Sequence, residues 1–110
     1  MLENKTEILR GTLDMLILKT LSLAPMHGLG ISRRIEQITD GVFQVKPGSL
    51  FPSLHRMEQE GWIRGKWGES ENNRRAKYYE ITSAGSARLG EEKQGWSRLV
   101  LTIGKVLEAS

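Results

Sequence analysis

Apolar residues recur along this chain at two spacings, and the change from one to the other marks out its elements. From Thr6 to Leu23, the residues Ile8, Leu9, Leu13, Leu16, Ile17 and Leu21 fall near helical spacing. Ala24-Pro25 ends the run, because proline disfavours the helical conformation in the residue before it. So many apolar positions predict a first helix covered on more than one side. After a turn at His27-Gly28, Ile31, Ile35 and Ile38 form the inner stripe of a second helix, with Arg33, Arg34 and Glu36 outside it and a stop at Asp40-Gly41. A third helix is predicted to start near Gly48, with Ser49 as its N-cap and Pro52 in a first turn that needs no backbone donor. At about 100° per residue it carries Leu50, Leu54 and Met57 on one side and Ser49, Pro52, His55, Arg56 and Gln59 on the other. Gly61 closes it.

The spacing then shortens. Trp62 to Trp67 and Ala76 to Ile81 read as two strands, and Gly68 to Arg75 between them has the glycine, asparagines and charges of an exposed hairpin loop. Arg74 and Arg75 end that loop and Lys77 follows. Val42 to Lys46 reads as a short third strand beside the hairpin. Thr82 then caps a last helix reaching about Glu108, on which Leu89, Trp96 and Ile103 stand seven apart with Leu99, Val100, Val106 and Leu107 beside them.

A helix with one polar face, followed at once by a basic hairpin, is the arrangement of a winged helix-turn-helix. The expected fold is therefore mostly α with a small β-hairpin: a winged DNA-binding unit over 1–82 and a C-terminal dimerisation helix over 83–110. At 110 residues and 38% hydrophobic content, one such unit has a modest core if it stands alone. The apolar positions of the last helix exceed what that core can cover, so a helix from a second subunit is the natural partner.

Charge sharpens this picture through its placement. The net charge is only +3, but from Lys46 to Tyr79 there are seven Lys or Arg against four Glu. The N-terminal turn of the third helix points amides at phosphate, and Arg and His can bond base edges in a major groove that admits a helix. The hairpin's Arg74, Arg75 and Lys77 suit the sugar-phosphate backbone. Trp62, Tyr79 and Ile81 read as packing for the hairpin, Tyr78 and Trp67 as either packing or contact, and His27 as a structural turn residue.

Other chemistries find little support. The chain has no cysteine and two separated histidines, which excludes disulfides, thiolate sites and cysteine nucleophiles and leaves no basis for a metal site or cofactor. Gly28-Leu29-Gly30 follows a helix rather than a strand, unlike a phosphate-cradling loop. No nucleophile with its base and no paired carboxylates stand out, so no catalytic residue is expected. No run approaches a membrane span and the start lacks a signal pattern, which makes the cytoplasm the expected location.

Five stretches in order resemble the PadR family of bacterial transcriptional regulators over Arg10 to Leu107. They are GTLDMLILKTLSL from Gly11, Met26-His27-Gly28, VKPGSLFPSLHRME from Val45, Gly61-Trp62-Ile63, and WGESENNRRAKYYEITSAG from Trp67. Leu29 and Phe51 depart from the tyrosines many members carry, and Phe51 can offer DNA only apolar or stacking contact. The resemblance implies a third helix in the major groove of double-stranded DNA, with Ser49, Pro52, His55 and Arg56 contacting bases, Phe51 flanking them, and Lys46 and Gly48 at the helix start. It also implies a homodimer formed through the last helix and often the first, reading a pseudo-palindromic operator. In some members a tryptophan matching Trp96 faces a cavity between subunits and stacks flat aromatic compounds; the other reading of Trp96 is that it fills the dimer core. Leu89, Trp96, Leu99, Val100, Ile103 and Leu107 are thus the dimer or effector positions. The resulting expectation is a homodimeric repressor relieved by a small aromatic effector. Its rivals are a winged protein-interaction module and a multidrug-sensing dimer with weak DNA affinity.

Overall fold

The computed structural model of the protein describes residues 10–69 and 74–110. Helix α1 spans Arg10–Leu23, a two-residue strand β1 spans Met26–His27, and helices α2 (Gly28–Ile38) and α3 (Pro47–Gln59) follow. The hairpin β2 (Ile63–Glu69) and β3 (Arg75–Ile81) leads into the long helix α4 (Ser83–Leu107). The expected beginning of the first helix at Thr6 and the hairpin tip at 70–73 lie outside the described residues.

Leu13, Ile17, Leu18 and Leu21 of α1 are almost wholly buried, and they meet Ile31 and Ile35 of α2, Leu50, Leu54 and Met57 of α3, and Ile63 and Tyr79 of the sheet. Trp62 and Ile81 pack half-buried against this core. The α4 side chain in it is Leu89. Helix α1 is thus the central post on which the other elements lean, as its many apolar positions require.

The third strand is not where the pattern placed it. The sheet order is β1-β3-β2, all antiparallel, with Met26 opposite Tyr79 and His27 opposite Tyr78. Pro25 holds the chain extended at its entry into β1. Val42 to Lys46 instead connects α2 to α3: it leaves a left-handed turn at Asp40 and Gly41 (φ 51° and 79°), buries Val45, and offers the Val45 carbonyl to the Ser32 hydroxyl at 2.9 Å.

The start of α3 also differs. Lys46 is its N-cap and Pro47 its first residue, a position where proline's missing N–H costs nothing. Ser49 lies inside the first turn, its own amide donating to the Lys46 carbonyl at 3.0 Å, and does not cap. Pro52 consequently falls in the helix interior and removes the bond that residue 52 would otherwise make to the Gly48 carbonyl. Gly61, at φ 79°, takes the left-handed turn after α3. Thr82 caps α4 as expected, its hydroxyl accepting from the Gly85 amide at 3.0 Å and donating to the Gly61 carbonyl.

Candidate nucleic-acid interface

Helix α3 buries Leu50, Ser53, Leu54 and Met57, which leaves Lys46, Gly48, Ser49, Phe51, Pro52, His55 and Gln59 exposed on one continuous face. The His55 and Gln59 side chains stand 3.4 Å apart at the end of that face. Phe51 is 42% exposed. Its ring leans on the first turn of α2, where a Cβ on Gly28 would fall 2.7 Å from the Phe51 Cε1. The bare Gly28 lets α2 and α3 approach closely, and one edge of the Phe51 ring stays open to a partner.

The hairpin register pairs Glu69 with Arg75, Trp67 with Lys77 and Gly65 with Tyr79, and side chains of such opposed residues share a face. On this face Tyr79 is buried, and the Lys77 ammonium bonds Glu58 of α3 at 3.0 Å. That bond is the main reason the ammonium holds its proton more tightly than an ordinary lysine. Farther out, the Arg75 guanidinium lies 4.9 Å above the Trp67 ring, and Arg74 is exposed beside the tip. A cleft of about 340 Å³ lies between α3 and the hairpin, lined by His55, Glu58, Gln59 and Lys77. On the opposite face Arg64 and Lys66 share Glu80 at 3.1 and 3.5 Å. The Arg64 hydrogen bond, then the Lys66 charge, hold that carboxyl below the usual glutamate range.

Two of the basic residues anticipated at DNA are thus engaged by carboxylates. Arg56 makes a two-pronged bond to Asp14 of α1, Nη1 to Oδ2 at 2.7 Å and Nη2 to Oδ1 at 2.8 Å. Its side chain is 24% exposed and that of Asp14 9%. The bond to Asp14 raises the guanidinium's affinity for its proton further. Lys77 is a tether between wing and α3 rather than a fully solvated cation. Among the described residues, the exposed cations beside the α3 face are therefore Lys46, Arg74 and Arg75. Helical angle alone cannot distinguish a polar residue facing water from one facing a carboxylate on another helix. The available signal was Asp14, an acid inside an otherwise apolar run.

His27 is structural. Its Nδ1 accepts the Gly30 amide at 3.1 Å as the N-cap of α2, and its ring meets Tyr78 edge-on with centroids 5.8 Å apart.

On α4, one stripe does two things. Gly85 and Leu89 are buried within the chain, so Leu89 belongs to the chain's own core and not to an exposed stripe. The same stripe continues uncovered through Trp96, Leu99, Val100, Ile103 and Leu107, each 47–78% exposed. Leu101, 70% exposed, projects from the other side and was not anticipated. Between α1 and α4 a cleft of about 350 Å³ is lined by Gly11, Thr12, Met15, Glu92, Gly95, Trp96 and Leu99. Among the described residues no group of three or more His, Asp or Glu could hold a metal, and no helix is long and apolar enough to cross a membrane.

Comparison with known proteins points one way. The model of the PadR-like family of transcriptional regulators matches residues 17–91. Protein X of Lysinibacillus sphaericus, whose role is uncharacterized, is 32% identical over 104 residues, covering 94% of this chain and 95% of that one. A transcriptional regulator from Clostridium thermocellum superposes with a TM-score of 0.81 at 30% identity, covering 87% of this chain and 93% of its own. A PadR-like transcriptional regulator from Bacillus cereus gives 0.79 at 32% identity, with 93% and 97% covered.

Proposed function

The chain belongs to the PadR-like family of transcriptional regulators, a family of regulators and not of enzymes, and on that premise we propose that it binds double-stranded DNA sequence-specifically as a homodimer. The observation that carries this reading is the unobstructed α3 face from Lys46 to Gln59, beside a hairpin whose outer end carries Arg74 and Arg75. Small residues at Gly48 and Ser49 let the helix start approach the groove floor, His55 offers a base-edge bond, and Phe51 offers a thymine methyl an apolar surface. Arg74 and Arg75 hold the backbone and set register. The winged unit, 1–82, reads the DNA, and 83–110 pairs two subunits by covering the stripe from Trp96 to Leu107. The first two turns of α4 remain part of the winged unit's core.

The protein acts as a cytoplasmic repressor, and a flat aromatic effector entering beside Trp96 relieves it. The cleft between α1 and α4 supports that part of the reading, because its wall combines one indole with the apolar Met15 and Leu99, small residues, and the polar Thr12 and Glu92. The same cleft favours the rival reading of a drug-sensing dimer with weak DNA affinity.

Selection of bound sequences from a randomised duplex library by the full chain tests the proposal. The expected product is a pseudo-palindrome with half-sites about 10 bp apart, one helical turn, as two-fold related α3 helices require. Recovery of no consensus, with binding that does not discriminate between sequences, refutes sequence-specific regulation and leaves the drug-sensing reading. No DNA binding at low salt leaves a protein-interaction module.

A further inference from the structure

The pair between Asp14 and Arg56 joins the post of the domain to the helix proposed to read DNA. Apolar burial of Leu50, Leu54 and Met57 presses α3 onto the core, but that attraction is non-directional, and the single bond from Glu58 to Lys77 sets a distance more than an angle. A guanidinium and a carboxylate joined by two parallel bonds are different, because both groups are planar and the fork admits one relative orientation. The two distances, 2.7 and 2.8 Å, are those of charge-assisted bonds with both prongs closed. Asp14 is largely covered, so water does not compete freely for its oxygens. Arg56 immediately follows His55 in sequence, and its fork therefore fixes the angle at which His55 and Pro52 leave the domain.

The tolerance is small. A side-chain tip stands about 5–6 Å from a helix axis, so a roll of about 10° moves it by about 1 Å. Hydrogen bonds to base edges span only about 0.5 Å in length. A roll of that size is enough to put base contacts out of range while leaving the helix folded and packed.

We propose that Asp14 and Arg56 determine sequence selectivity without touching a base: Arg56 is a positioning residue that fixes the roll of α3, and Asp14 is a specificity determinant on a helix outside the reading face. The inference rests on the DNA-binding reading above, and its test separates the two. Library selection is repeated with Asp14→Asn, which keeps size and shape but loses the charge, and with Arg56→Lys, which keeps the charge but loses the fork. Wild-type selection is the control for the reading itself; if the wild type yields no consensus, that reading fails and this one with it.

Given a wild-type consensus, both variants are expected to lower the ratio of specific to non-specific affinity about tenfold or more. The loss is spread over the positions read by several side chains, and the salt dependence of non-specific binding is unchanged. Amide resonances along α3 shift in both variants, and with them Lys77, whose ammonium bonds Glu58 of α3, while those of Ile103 to Leu107 at the far end of α4 do not, a readout that needs no DNA and serves even if one variant is poorly stable. The proposal is overturned if Asp14→Asn retains the full consensus and selectivity. It is equally overturned if Arg56→Lys relaxes a single base pair while Asp14→Asn relaxes none, because Arg56 would then be reading that base directly.

Discussion

Replacing Arg74 and Arg75 together by alanine tests the wing as a clamp on the DNA backbone, and its size follows from which cations the fold leaves exposed. Lys77 is tied to Glu58 at 3.0 Å, so it is not counted. Arg75 lies over Trp67, which positions the guanidinium without neutralising it. In the proposed dimer two phosphate contacts per subunit would then be lost, four in all, and each is worth about 0.9 in the slope of log affinity against log salt, a total of about 3.6. Between 50 and 200 mM salt, a fourfold rise, the wild type should therefore lose about 150-fold more affinity than the variant. Titration of a fluorescent operator duplex at several salt concentrations measures both slopes. All sequences should weaken about equally, because backbone contacts carry no base information. An unchanged slope refutes the clamp. Flattening by Lys77→Ala as large as that of the double variant refutes the argument that Glu58 holds Lys77 back.

Three further outcomes are expected. Gly85→Ala should destabilise the chain by about 1–3 kcal/mol in urea unfolding, because the new Cβ would run into the Trp62 carbonyl, a backbone group that accepts from the Thr82 amide at 3.0 Å. Gly90→Ala on the same helix, where a Cβ meets nothing within 4 Å, should instead gain up to about 1 kcal/mol from helix propensity; equal losses at both sites would show that the contact at Trp62 does not decide the matter. Ile103→Asp places a charge in the uncovered α4 stripe, and sedimentation should show a monomer that no longer binds a full operator tightly. A dimer of undiminished stability would move the interface off this helix.

Much of this architecture is legible in the sequence because its signals are local. Pro25 after an apolar helical run, Gly61 after α3 and Thr82 before α4 each mark a boundary through the chemistry of one residue. The features that were not legible depend on partners far along the chain. A two-residue strand such as β1 is too short to display alternation, and only its pairing with β3 makes it a strand. Pro47 was a fair signal for the start of α3, but Ser49 offered a better side chain for a cap and drew the boundary forward. Leu89 and Trp96 are indistinguishable in spacing, and only the packing of the folded chain separates them, Leu89 buried and Trp96 half exposed. Arg56 looked like a reading residue for the same reason, since its polarity was visible and its partner was 42 residues away.

Strand β1 has a practical consequence for anyone wishing to exchange recognition parts between relatives. His27 at once caps α2, pairs with Tyr78 across the sheet and holds that ring edge-on. The hairpin is therefore not a detachable module ending at Trp62 and Thr82. A graft of β2 and β3 alone would bring in foreign side chains opposite Met26 and His27 and loosen the start of α2, and with it the Gly28 surface against which Phe51 rests. The transplantable cassette is discontinuous: Met26 to Gly28 must travel with the hairpin, through its outermost pair Glu69 and Arg75, if the register at Tyr78 and Tyr79 is to survive the exchange.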